Sequence, residues 1–186
     1  NCYILKSNTP KSLTAPYDLV RKMRASFLIL GPLLSRYGSA KVSLPGGCAI
    51  GTRPVDIHLD CLKKMGASFN IKNGYVYGKV NEKLKGASIN LKKKSVGATE
   101  NIIMAATLAE GKTIINNAAR EPEISDLCNF LLNIGAKIKG HGTDIISIQG
   151  VKELSGTNFK VMPDRIEAGT FALLVLGCSG ELTLTN

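Results

Sequence analysis

The chain repeats itself at a spacing of about 70 residues, and this internal repeat constrains its fold more than any single motif does. "LKKMGASFNI" at 62–71 answers "LLNIGAKIKG" at 131–140, and "EKLKGASINL" at 82–91 answers "KELSGTNFKV" at 152–161. Three helix-glycine-strand passages also match: "YGSAKVSLPGG" from Tyr37, "EGKTIINNAA" from Glu110 and "SGELTLTN" from Ser179.

Each unit reads as β-α-β-α-β-β. First strands are expected at 3–5, 88–91 and 158–161, and apolar helices at 18–37, 99–110 and 167–176. Glycines stop these helices (Gly38 and Gly111, with Gly177 or Gly180 in the third), as helix C-caps do. Strands rich in β-branched residues are expected next, at 41–44, 113–116 and 181–185. Second helices over 54–65 and 124–134 end at Gly66 and Gly135. Two strands then close each unit, turning at Asn73-Gly74 and around 140–143. Helices that are apolar on most faces have to be buried on most faces, which places them inside and the sheets outside. The third unit stops at its second strand, so the reading is of a larger repeat protein cut at both ends.

Composition narrows the class. With 44% hydrophobic residues a core can form, and with no Trp and 5% aromatics it must be aliphatic. The net charge of +10 suits an anionic partner, either a phosphorylated small molecule, a membrane surface or nucleic acid. The lysines are scattered apart from Lys92, Lys93 and Lys94, and stacking aromatics are few, so nucleic acid is not expected. The five cysteines, at 2, 48, 61, 128 and 178, are odd in number and irregular in spacing. They make neither a disulfide frame nor a metal site, and a reducing cytoplasm fits them best. No membrane association is expected, since the longest apolar runs, such as 171–178, are too short to span a bilayer. No cofactor is implied, and the sequence sets no oligomeric state.

The chemistry concentrates in "LPGGCAIGTRPVDIH" at 44–58. Cys48 follows a Gly-Gly turn, and Arg53 comes five residues later. A thiol near a fixed cation loses its proton more readily and can act as nucleophile or proton carrier. Arg53 can also hold an anionic substrate in a fork. The other four cysteines read as plain residues: Cys61, Cys128 and Cys178 belong to apolar helices, and Cys2 has no supporting context. Asp56 either caps the helix that begins here or accepts from a donor on a ligand base, and His58 reads as an ordinary polar helix residue. "KKKSVGATEN" at 92–101 places three cations and Ser95 before a helix start. It is an anion-binding pattern or a solvated charge run. Arg24 is a snorkelling surface residue or a phosphate clamp. Asp164 and Glu167 flank Arg165 as the acidic first turn of a helix.

"APYDLVRKMRAS", "LPGGCAIGTRPVDIH", "KKSVGATEN", "AATLAEG", "NAAREPEI", "GAKIKGHGTD" and "PDRIEAGTF" occur in that order from about Ala15 onward. Together they closely resemble the UDP-N-acetylglucosamine 1-carboxyvinyltransferase (enolpyruvyl transferase) family. The resemblance implies an α/β fold of repeated βαβαββ units around buried parallel helices, in two domains with a cleft between them. Residues 1–161 would be most of one domain and 162–186 the crossing into the second. The family's N-terminal Lys-Asn pair, and most of the second domain with its aspartate base, would lie outside the chain.

The implied reaction moves the enolpyruvyl group from phosphoenolpyruvate to the 3'-hydroxyl of UDP-N-acetylglucosamine, the first committed step of peptidoglycan synthesis. The alternative is an inactive fragment that binds UDP-sugar at most weakly. By this resemblance Cys48 donates a proton to the methylene carbon and is the residue fosfomycin alkylates, with Arg53 beside both substrates' phosphates. Pro54, Val55, Asp56 and Ile57 would form the uridine site. Lys93, Lys94, Ser95 and Val96 would hold the diphosphate, Arg24 would touch the nucleotide-sugar, and Asp164 and Arg165 would mark the interdomain crossing.

Overall fold

The computed structural model describes residues 2–6, 8–45 and 55–185, with Arg24 described by its backbone alone. Two units follow one another with the same order of elements. The first contains β1 (Thr14–Ala15), α1 (Tyr17–Val20), a 3-10 helix (Arg24–Ile29), α2 (Leu30–Tyr37) and β2 (Ser39–Ser43). It continues through α3 (Asp56–Lys64), β3 (Ala67–Lys72) and β4 (Tyr75–Val80). The second contains β5 (Ser88–Asn90), α4 (Val96–Ala106), β6 (Lys112–Asn116), α5 (Pro122–Asn133), β7 (Lys137–Lys139) and β8 (Ile145–Gln149). A final helix, α6, covers Arg165–Cys178.

The sheets are ordered β1-β2-β4-β3 and β5-β6-β8-β7, the same arrangement twice. In each, the first two strands pair in parallel across a helical crossover and the remaining pairs are antiparallel. Side chains alternate across the pleat. Val76 and Val80 of β4 are buried, while Tyr75, Tyr77 and Lys79 face outward. Asn73 and Gly74 turn β3 into β4 with φ of 51° and 74°, as a two-residue hairpin of this kind requires.

The core is aliphatic. Leu30 and Leu34 of α2, Leu62 of α3, Ile102 and Ile103 of α4 and Ile124 of α5 pack with Ile115, Ile146 and Ile148 from the second sheet. α4 is the axis of this layer and packs against α2, α3 and α5. It meets α2 at Gly31, where a Cβ would run into the side-chain and backbone oxygens of Asn101.

Several expectations need correction. The single helix expected over 18–37 is broken into α1, the 3-10 helix and α2. Met23 is extended, with φ −144° and ψ 115°. Pro32 has no N–H and its ring clashes with the carbonyl four residues back, so it is accommodated only in the first turn of a helix that restarts at Leu30. α4 begins at Val96 rather than Thr99 because Ser95 caps it.

No strand forms at 3–5, 158–161 or 181–185. Parallel pairing in the first unit is made by Thr14–Ala15 instead. Residues 158–161 and 181–185 have no partner strand among the described residues and stay extended or irregular. α6, expected to be buried, has no buried residue, and Leu176 is 80% exposed. α2 and α4 cover one another, whereas no described element covers α6. Cys178, expected in a packed helix, is exposed with it.

Replacing Gly31 with Ala is expected to destabilise the protein by about 1–3 kcal/mol, the usual range for overpacking. The midpoint of urea unfolding, compared at equal slope, is the measurement that checks it.

Candidate functional site

Three segments converge beside the α2–α4 crossing and enclose a cleft of about 480 Å³. The 3-10 helix contributes Phe27 and Leu28, the start of α3 contributes Val55 and His58, and the start of α4 contributes Lys94, Ser95, Val96, Gly97 and Glu100. Pro45, just past the end of β2, also lines it. A larger open groove of about 620 Å³ lies on the first sheet beside Lys41, Tyr77 and Lys79, but none of the candidate residues read from the sequence lines it.

Local chemistry fixes the α4 end of the cleft. The Ser95 hydroxyl accepts from the Ala98 N–H at 3.3 Å, satisfying one of the free donors of the first turn. Thr99 donates from Oγ1 to the Ser95 carbonyl at 2.8 Å, and the same oxygen accepts from the Ala119 N–H at 3.2 Å. Asn117 Nδ2 donates to the Leu91 carbonyl at 2.9 Å. The lysine run is thereby strung between β5 and a capped helix start, with the positive end of the α4 dipole behind it.

The sequence candidates are distributed as follows. Val55, Lys94, Ser95 and Val96 meet in the cleft. Asp56 is the exposed first residue of α3, just after its N-cap Val55, and Ile57 packs half-buried against the core. Lys93 is exposed and does not line the cleft. Cys48, Arg53 and Pro54 lie outside the described residues, as does the side chain of Arg24, which begins the 3-10 helix.

Asp164 and Arg165 stand apart from the cleft. Asp164 caps α6, accepting from the N–H groups of Ile166 at 2.8 Å and Glu167 at 3.2 Å. Arg165 grips Glu123 of α5 with two bonds, at 3.0 and 2.8 Å. The Arg165 hydrogen bond holds the Glu123 carboxyl below its ordinary range, against a smaller opposing effect of burial. Glu100, in the cleft wall, is shifted the other way, by burial first and by the charge of Glu123 second.

Three contributors were not read from the sequence. His58, taken for an ordinary polar residue, meets Phe27 edge-on with ring centroids 5.4 Å apart. Its Nδ1 lies 3.1 Å from Asn101 Nδ2. Asn101 is fully buried, and an amide within the apolar run of α4 was the available signal for it. Glu100 carried no sequence signal, and it lines the cleft together with Phe27 and Leu28 of the 3-10 helix. Among the described residues no group of His, Cys, Asp and Glu could hold a metal ion, and no helix is long and apolar enough to cross a membrane.

Solved structures carry the same twice-repeated architecture. The enolpyruvyl transferase NikO from Streptomyces tendae superposes with a TM-score of 0.73 at 22% identity, over 86% of this chain and 38% of that one. An EPSP synthase from Acinetobacter baumannii superposes with a TM-score of 0.62 at 27% identity, over 79% of this chain and 33% of that one. The fold is therefore that of the enolpyruvyl transferases, a mixed α/β fold built from βαβαββ units.

The model of the EPSP synthase (3-phosphoshikimate 1-carboxyvinyltransferase) family matches residues 2–186, and the chain belongs to that family. Within it, the chain is 59% identical over 172 residues to the UDP-N-acetylglucosamine 1-carboxyvinyltransferase of Nitratidesulfovibrio vulgaris strain Miyazaki F, covering 92% of this chain and 41% of the relative. It is 58% identical over 173 residues to the protein of the same name from Paramagnetospirillum magneticum, covering 93% and 40%. The chain thus spans about two fifths of the length of these relatives, whose coverage is 41% and 40%.

The described cysteines fall into two classes. Burial pushes the Cys61 thiol up to about 11, against a smaller lowering by Lys64, and pushes Cys128 up to about 12. Cys2 and Cys178 are exposed. With iodoacetamide at about pH 8, near an ordinary thiol pKa, Cys2 and Cys178 are expected to react in the native protein and Cys61 and Cys128 only after unfolding. Peptide mass mapping at timed intervals reads the difference.

Proposed function

We propose that the chain forms the nucleotide-sugar wall and thiol loop of an enzyme that transfers the enolpyruvyl group of phosphoenolpyruvate to the 3'-hydroxyl of UDP-N-acetylglucosamine. The observation that carries this reading is the cleft in which the start of α3, Lys94 at the end of the lysine run and the capped start of α4 meet. Such a surface suits a diphosphate, with lysines as point charges, backbone donors and a helix dipole on one side. Its apolar patches, Phe27, Leu28 and Val55, suit the flat body of a ligand. Relatives near 60% identity carry the corresponding name, which supports this acceptor over shikimate 3-phosphate.

In the proposed reaction the 3'-hydroxyl gives up its proton to a base, which the family resemblance places outside this chain, as its oxygen bonds to C2 of phosphoenolpyruvate and a proton adds to the methylene carbon. Loss of a proton from that carbon and of phosphate from C2 then restores the double bond. Cys48 supplies the first proton, and Arg53 balances phosphate charge beside it. Pro54, Val55, Asp56 and Ile57 hold the uridine, with Asp56 facing the uracil. Lys93, Lys94, Ser95 and Val96 hold the diphosphate, and Arg24 adds a further cation. Residues 1–161 belong to one domain of the whole enzyme, and from 162 the chain crosses into the other, with Asp164 and Arg165 at the crossing. A thiol on a loop that closes over the substrates delivers its proton with water excluded.

In the complete enzyme Cys48→Ser is expected to lower kcat by at least about 100-fold, the lower end for loss of a positioned acid. Steady-state release of phosphate measures it, and unchanged turnover would remove Cys48 from its role. Fosfomycin should label Cys48 faster when UDP-N-acetylglucosamine is present. Equal labelling of all five cysteines would argue against a working cleft.

A further inference from the structure

We propose that the outer face of the first sheet carries a docking groove for an acidic segment of a partner protein, laid extended across the strands. The argument starts from where the charges fall. None of the eight described strands contains Asp or Glu, although the chain has 14 acidic residues. The same strands hold Lys41, Lys72 and Lys79 in the first sheet and Lys112, Lys137 and Lys139 in the second. Carboxylates are thus kept to helices and connections, and each sheet presents cations that nothing in its own ladder balances.

In the first sheet the strand register shapes this charge into the open groove of about 620 Å³. Asn70, Tyr77, Lys41 and Thr14 stand side by side on neighbouring strands and form one wall. Two residues along the strands, Ser68, Lys79 and Ser39 form the other. Between the walls run Phe69, Gly78 and Ala40, whose place in the pleat points them inward and leaves backbone as the floor. A Cβ on Gly78 would meet the Phe69 ring and Leu34 beneath the sheet. Lys41 is braced on two rings, with Nζ 4.6 Å from the Tyr75 centroid and 5.3 Å from that of Tyr77. Among the described residues neither Lys41 nor Lys79 pairs with a carboxylate.

The groove crosses all four strands, a span of about 14 Å at ~4.8 Å between strands. That span takes about four residues of extended chain. Such a chain turns successive side chains to opposite sides, so two consecutive carboxylates face Lys41 on one wall and Lys79 on the other. The hydroxyls of Thr14, Ser39 and Ser68 offer bonds to its backbone. Nucleic acid fits less well, because Lys41 already lies over the Tyr77 ring on which a base would stack. A bilayer surface cannot enter a recess whose walls stand about 7 Å apart. The second sheet serves as an internal comparison: it has as many lysines, but Ser147 and Gln149 occupy the register positions of Tyr77 and Lys79.

The test is titration of the ¹⁵N-labelled protein with the acetylated peptide Thr-Glu-Glu-Thr, read at the backbone amides. Saturable shifts at Phe69, Gly78 and Ala40 are expected, with none from Thr-Gln-Gln-Thr. Lys41→Gln combined with Lys79→Gln is expected to weaken binding about tenfold, the scale of two partly exposed ion pairs. Lys137→Gln combined with Lys139→Gln should leave it unchanged. Thr14→Glu, which alters neither groove lysine, should weaken it as well, so the proposal does not depend on the stability of the double variant. Absence of saturable shifts at the groove overturns the proposal. So does equal weakening by the two lysine pairs, which would mean general attraction to a cationic surface. Tighter binding at the same amides by oligouridylate or by phosphatidylserine vesicles overturns it in favour of those partners.

Discussion

Everything in the described fold depends on how closely α2 and α4 approach one another. A pair of buried helices can exclude water and still fail if one of them carries an unsatisfied backbone donor. Here the start of α2 is such a donor, and the side chain that satisfies it comes from the neighbouring helix rather than from its own N-cap. The glycine at 31 and the amide at 101 are therefore one device. The first removes the Cβ that would hold the helices apart, and the second fills the space with a hydrogen bond. Aliphatic packing supplies most of the favourable energy, and this polar contact sets the register in which it is collected.

The same contact links core to cleft. The far side of the Asn101 amide reaches His58 in the first turn of α3, the helix whose start lines the cleft. The cleft wall is thus an extension of the helix layer, not a loop laid over it. The Arg165–Glu123 pair plays a comparable part farther along, tying the first turn of α6 to α5. Both of its side chains are substantially exposed, so its value lies in geometry more than in stability.

The βαβαββ order was legible in the sequence because its punctuation is chemical: glycines after helices, Asn-Gly in a hairpin and β-branched runs between them. Second helices and hairpins came out nearly in place, as at 124–134 against Pro122–Asn133. The errors fell where partners decide the outcome. The segments at 3–5, 158–161 and 181–185 have strand-like patterns but no partner to complete a ladder. The run in α6 has the composition of a core helix, yet composition cannot say whether anything covers it. Pro32 was visible and could have warned that the long first helix must restart. Of the residues that line the cleft, spacing had singled out Val55, Lys94, Ser95 and Val96. It could not find Glu100, Asn101 or His58, whose meaning arises only when residues far apart in the chain meet.

The sheets carry one more implication. Every strand of each four-stranded sheet comes from a single unit, and none is lent across the boundary. Each ladder can therefore zip from neighbouring sequence, with loop closures confined to its own unit. The helical layer has no such independence, because α4 is wedged among α2, α3 and α5 from both units. Hydrogen-bonded order is parcelled out locally while dryness is held in common. Melting either unit would leave the other with its strands paired but with the greasy side of its helices wet.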